Sequence, residues 1–228
     1  MDTLIWQPNA YSTALIVLGT LAIAGAAIAS QRRSHPSAIW VAWLMAAIGL
    51  WSLGYALEII FGNLRLQILM AKIEYIGIVS VPILWFFFAM EHTGKGKIIR
   101  EKKLGWLAVF PILTLGMVWT NEFHHLIWTV TSQIEYAGIH FFTVEHGGFY
   151  WIHVAYSYSL ILIGSIVFLR QAIKARTSNR AQAVANETRD RLNAEAEQTR
   201  KALEAKLNAR IAEAEQRIAA SRAAAMAN

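Results

Sequence analysis

Five stretches of this chain are so apolar, and so near twenty residues long, that a membrane is the one solvent suited to all of them. A helix needs about 20 mostly apolar residues to cross roughly 30 Å of hydrocarbon. Residues 11–30, 38–60, 66–90, 104–120 and 149–169 meet or approach that length. With 56% hydrophobic residues, nine Trp and a mean hydropathy of +0.37, the chain is too apolar for an ordinary soluble domain. The expected fold class is an all-α membrane protein. It comprises a five-helix transmembrane bundle over residues 1–175, a small outer β-hairpin loop, and a long C-terminal cytoplasmic helix or coiled coil over residues 176–228.

Charge orients the bundle. The net charge is +6, but the basic residues sit beside apolar runs and in a mixed-charge tail. That pattern fits a membrane protein and not a nucleic-acid binder. Arg32 and Arg33 follow the first run, five basic residues precede Leu104, and Arg170, Lys174 and Arg176 follow the fifth. Only Arg65 lies outside the runs on the opposite side. The positive-inside rule then predicts an outer N-terminus, a cytoplasmic C-terminus and a multi-pass protein of the inner (plasma) membrane, with lipid as its first partner.

Between Lys103 and Arg170 there is no Lys or Arg at all, yet residues 119–153 hold Glu122, Glu135, Glu145 and five histidines. This stretch is the longest connection between apolar runs and belongs on the outer face. Residues 127–131 and 139–144 are rich in β-branched and aromatic side chains, with Ser132 and Gln133 after the first run and Gly138 just before the second. That spacing predicts a β-hairpin, which needs the bundle beneath it to be stable.

Three ionisable residues fall inside apolar runs: Glu58, Lys72 and Glu74. Intramembrane charges are costly and tend to pair facing the bundle interior. Lys72 is expected to bridge Glu58 or Glu74, either as a structural ion pair or as the polar floor of a pocket. The histidines His124, His125, His140, His146 and His153 lack metal-ligand spacing, so no metal site is expected and interfacial packing is the simpler role. Trp119, Trp128, Tyr136, Tyr150, Trp151, Tyr156 and Tyr158 form either an interface belt or the wall of an apolar pocket. No nucleophile with a placed base emerges, Ser157 and Ser159 included. The absence of Cys excludes thiol chemistry. Neither a cofactor nor an enzymatic activity is expected.

The tail after Arg176 has no aromatic residue, no Gly and no Pro. Leu192, Leu203, Ala214 and Ala225 recur every eleven residues, as do Ala196, Leu207 and Ile218. An eleven-residue repeat favours a right-handed supercoil, and an Ala-rich stripe needs a partner helix, most simply a second copy of the chain.

The phrases WSLGYALE at 51–58, KIEYIG at 72–77, PILW at 82–85, TNEFHHLIW at 120–128 and YSY at 156–158 resemble, in order and spacing, the N-terminal seven-helix region of bacterial and archaeal sensor histidine kinases. The resemblance covers residues 1–175. It implies a membrane input module for signal transduction in a two-component system. Glu58, Lys72, Glu74, Tyr75, Asn121, His124, His125 and Trp128 within those phrases are the sensing candidates. The chain departs from the family in having five runs instead of seven and in carrying no phosphoacceptor helix or ATP-binding domain, so it is expected to lack a kinase of its own. LNAEAE at 192–197 through IAEAEQRIA at 211–219 resembles instead the stalk helix of the b or b-prime subunit of F-type ATP synthase. That likeness implies an alternative role as a membrane-anchored stalk, or a fusion or chimera of the two. A pocket, if one forms, is expected between the outer loop and the Glu58/Lys72/Glu74 group.

Overall fold

The computed structural model describes residues 5–32, 35–101 and 104–226, and side chains at 100 and 218–226 are not part of that description. Arg33, Lys102 and Lys103 of the basic clusters, and the Ile218 and Ala225 side chains of the eleven-residue repeat, therefore lie outside the described residues. The chain divides into two compact units, Met1–Gln171 and Ala172–Asn228.

Helix α1 (Ala10–Gln31) begins where Asn9 caps it: the Asn9 side chain accepts from the backbone of Tyr11 and Ser12, and Ser12 Oγ accepts from the Asn9 N–H in return. This reciprocal pairing satisfies amides that a helix start leaves free. Ser12, Gly19, Ala22 and Ala26 are its buried face, while Leu18, Leu21 and Ile28 point outward. Small residues on the inner face let α2 (Ala38–Ile60) approach closely. A Cβ at Gly49 would lie 2.6 Å from Ile23 Cδ1 and 3.1 Å from the Gly19 carbonyl oxygen. Packing of this kind holds helices together where lipid removes the hydrophobic drive between them.

Helix α3 (Leu64–His92) starts two residues earlier than the expected run, because Asn63 caps it through the amides of Arg65 and Leu66. It is the centre of the bundle: 56% of its most apolar stretch is buried, against 22% for each of the other long apolar helices. A short helix α4 (Gly96–Arg100) lies in the polar loop that follows.

The expected fourth span is shorter than the others. It consists of a 3-10 turn, Gly105–Ala108, and helix α5 (Val109–Trp119). Together they cover about 25 Å, short of a full hydrocarbon crossing. The chain then turns directly into α6 (Asn121–His124). Among the described residues, four helices are long and apolar enough to cross a membrane: α1, α2, α3 and the first part of α7 (Gly148–Met226).

Between α6 and α7 lies the hairpin, β1 (Trp128–Tyr136) paired antiparallel with β2 (Ile139–His146). Its two-residue turn, Ala137-Gly138, has φ of 53° and 76°. Two positive φ values define a turn whose twist matches that of the strands. The first strand runs five residues beyond the expected 127–131, because Ser132, Gln133 and Ile134 pair with Thr143, Phe142 and Phe141. Trp128 packs edge-on against Tyr75 and Phe142, which ties the base of the hairpin to α3.

In the second unit, the helix carries ion pairs along its own surface, Arg191 to Glu187 and Arg200 to Glu197 and Glu204. Such pairs support an exposed helix. Leu192, Leu203, Leu207 and Ile211 are all exposed.

Candidate functional site

Three glutamines pin the hairpin onto the bundle. Gln67, fully buried at the start of α3, donates from Nε2 to the His140 carbonyl (2.9 Å), and its Oε1 accepts from Gln133 Nε2 (2.5 Å). Gln133 also donates to the Gly62 carbonyl. From the N-terminal segment, Gln7 Nε2 donates to the carbonyls of Ile59 and His140, and Gln7 Oε1 accepts from the His140 N–H. An amide side chain carries both donor and acceptor, so it can serve both sides of a strand's backbone. None of these glutamines stood out among the sensing candidates. Gln67 had a signal, since a polar amide inside an apolar run is unusual; Gln7 and Gln133 had none.

Lys72 takes a partner other than the expected ones. Its ammonium reaches Glu122 Oε1 at 2.5 Å and the Trp119 carbonyl at 3.4 Å. Among the described residues no ion pair joins it to Glu58 or Glu74. The reason is the fold of residues 119–128. The turn into α6 brings Glu122 over the N-terminal part of α3, where its side chain stays 59% exposed while that of Lys72 is 11% exposed. The Lys72 ammonium holds the Glu122 carboxyl below its ordinary range.

Asn121 builds the turn that places Glu122. Its Oδ1 accepts from the amides of Ile127 and Trp128, and its Nδ2 donates to the Trp128 carbonyl. His125 takes the left-handed backbone region (φ 53°) that closes α6. His124 Nδ1 accepts from the Leu126 N–H, and its Nε2 meets Thr120 Oγ1. These candidates are therefore joints of the loop, and among the described residues no group of His, Cys, Asp or Glu is arranged to hold a metal ion.

The remaining two charges meet each other. Glu58 and Glu74 are 7% and 5% exposed, and their carboxyl groups are in hydrogen-bond contact. An ionised carboxylate has acceptors only, so such a contact needs a proton between the two groups. Gly54 makes room for the pair: a Cβ there would lie 2.8 Å from Glu74 Cγ. Tyr55 lies beside both acids. Apart from the Glu58 carboxyl, the buried Glu74 Oε1 has no partner among the described residues.

Above this pair is a cavity of about 500 Å³. Its floor is Glu58 and Glu74, and its roof is Trp128, Phe142, Val144 and His146 of the hairpin. One wall is α3, with Tyr75, Ile78 and Pro82; the other is the start of α7, with Tyr150, His153, Ser157 and Ile161. Lys72 is not among its lining residues. His146 stacks face to face on Tyr150 at 3.6 Å, and partial desolvation there lowers its imidazole below the ordinary value although the residue is exposed. His153 is 4% exposed, its Nε2 meets Ser157 Oγ at 3.4 Å, and its Nδ1 has no partner among the described residues. The volume is in the range of small-molecule sites, and apolar walls with a few convergent polar groups are their usual makeup.

A family model described as the N-terminal 7TM region of histidine kinase matches residues 12–186. Comparison with curated proteins and with solved structures finds no match. The matched residues include the whole cavity and the hairpin. They end at 186, so the ATP synthase stalk likeness of residues 185–228 draws nothing from the match.

Proposed function

Because the chain belongs to the family of N-terminal 7TM regions of histidine kinase, we propose that it senses through the cavity between the hairpin and the Glu58/Glu74 pair. As a member of that family it is a multi-pass membrane protein and a sensory input module. The observation that carries the proposal is the make-up of the cavity. It joins α2, α3, the hairpin and the start of α7 around the Glu58/Glu74 pair and a buried His153 Nδ1 that has no partner among the described residues. α7 is the helix that continues in sequence into the charged tail. A ligand that presses on Tyr150, His153 or Ser157 therefore acts on the element that leads to the output. The basic clusters favour an outer N-terminus and a tail in the cytoplasm of a plasma (inner) membrane. The exposed Leu192, Leu203 and Leu207 are the contact stripe for a partner helix, a second copy of this chain in the simplest case.

The test fuses a kinase output after the tail and reads autophosphorylation in membranes. Glu58→Gln and Glu74→Gln should each change the basal output or its response. If both leave it unaltered while the protein stays folded and dimeric, the cavity is not the sensing site.

A further inference from the structure

Resting on the sensory reading of this cavity, we propose that its ligand is a protonated amine with an apolar, ring-sized body. The ammonium group sits on the Glu58/Glu74 pair and the body lies against the aromatic walls. Four observations converge. Among the described residues no Lys or Arg lines the cavity, so its fixed charge is acidic. Glu74 is 5% exposed and lines the cavity, and apart from the neighbouring Glu58 carboxyl its Oε1 has no hydrogen-bond partner among the described residues. A buried acceptor short of donors is costly, so a donor is wanted there. The lining carries the aromatic side chains of Trp51, Tyr55, Tyr75, Trp128, Tyr150 and Tyr158, and aromatic faces attract cations. Finally, the cation that the sequence places nearest, Lys72, is committed to Glu122, and among the described residues no ion pair joins a cation to the carboxyl pair.

The chemistry selects among ligands. An ammonium has three N–H donors and no acceptor, which suits two acids side by side. It donates to Glu74 Oε1 and to Glu58, and the proton shared by the two carboxyls can leave to solvent. An anion meets only acids and ring faces and is rejected. A neutral alcohol satisfies one acceptor but brings no charge. His153 Nδ1, buried and without a partner among the described residues, offers a place for a further polar group on the ligand body.

The full-length chain in lipid nanodiscs tests this with three probes of one shape: 2-phenylethylammonium, 2-phenylethanol and 3-phenylpropanoate. Calorimetry, or the emission of Trp51 and Trp128, reads binding. The ammonium probe should bind saturably, and the other two at least about tenfold more weakly. Glu74→Gln and Glu58→Gln should each weaken the ammonium probe by about tenfold or more, with helix content and melting unchanged. Glu145→Gln removes the same charge from the exposed side of the hairpin and should leave binding within about twofold. No saturable binding of the ammonium probe, equal binding of all three, or equal losses in all three variants each overturns the proposal. Tight ammonium binding that never alters the output of the fused kinase would sink the sensory reading while leaving the amine site intact. An output that responds to the acid substitutions without any ammonium binding would do the reverse.

Discussion

The Lys72 ammonium lies 2.5 Å from Glu122 Oε1, fifty residues away in sequence, although Glu74 is only two residues from Lys72. Depth in the membrane and nearness in sequence both favoured an ion pair inside the α2–α3 hairpin. The turn at Asn121 decides otherwise and splits the intramembrane charges into a latch at the surface and a carboxyl pair beneath.

The latch has a measurable worth. Glu122→Gln leaves the mostly buried Lys72 with the Trp119 carbonyl alone, and should cost on the order of 1 kcal/mol because the pair is half open to water. Because Lys72 depresses the folded-state pKa of Glu122, its contribution is present above the ordinary carboxylate range and is lost as pH falls through the depressed value. Thermal melts of wild type and Glu122→Gln should therefore converge only in strong acid. Melts that differ equally at every pH would contradict the assignment.

Gln67→Leu should loosen the hairpin selectively. It removes the buried amide that serves both His140 and Gln133, at a cost of about 1–3 kcal/mol. Hydrogen exchange should speed up across residues 128–146 and stay unchanged in α1. Uniform acceleration everywhere would mean that the glutamine supports the bundle as a whole.

Helix contact distinguishes two glycines. A Cβ at Gly77 would sit 2.5 Å from the Ala47 carbonyl oxygen and 2.9 Å from Trp51 N, whereas nothing lies within 4 Å of one at Gly116. Gly77→Ala should lose about 1–3 kcal/mol through forced separation of α2 and α3. Gly116→Ala should be neutral or slightly stabilising, by up to about 1 kcal/mol. Unfolding of both variants in mixed micelles reads the difference, and equal effects would rule out the close approach.

His146 gives a second pH window. His146 is exposed, and partial desolvation beside Tyr150 lowers its folded-state pKa only modestly below the ordinary value of 6.5. Its contribution is complete above the unfolded pKa and declines as pH falls below it, because the unfolded chain takes up the proton first. Melting temperature should drop between about pH 7.5 and 5, and His146→Gln should flatten that drop. A slope unchanged by the substitution would assign it to another group.

The tail stripe is open to direct capture, since the chain has no Cys of its own. Leu203→Cys should crosslink the chain to itself in membranes under mild oxidation, and the equivalent change at exposed Glu204 should do so several-fold less. Crosslinks of Leu203→Cys only to other proteins would name a different partner helix.

Much of this architecture is readable from residue order, and the exceptions have physical causes. The first three spans are visible because twenty apolar residues in a row have one main use. The hairpin is visible because β-branched runs flank Gly138, but its true length is set by pairing across the strands, where polar Ser132 and Gln133 fit as well as apolar neighbours. The shortness of α5 is hidden because hydropathy counts residues and not where Asn121 folds the chain back. The cavity was expected between loop and charges, yet its floor differs: Lys72 leaves, and Glu58 and Glu74 face each other. The glutamine pins are invisible because they bind backbone carbonyls, which every residue has and no sequence marks.

Those pins also set an order of events during synthesis. Gln7 emerges 133 residues before its partner His140. At about 5–20 residues per second the early amide waits on the order of ten seconds. Gln67 is exposed in the same way until Gln133 and His140 arrive. This end of the bundle is thus completed late, by a hairpin that closes over amides already in place. A nascent chain halted before residue 140 would present the bundle without its roof.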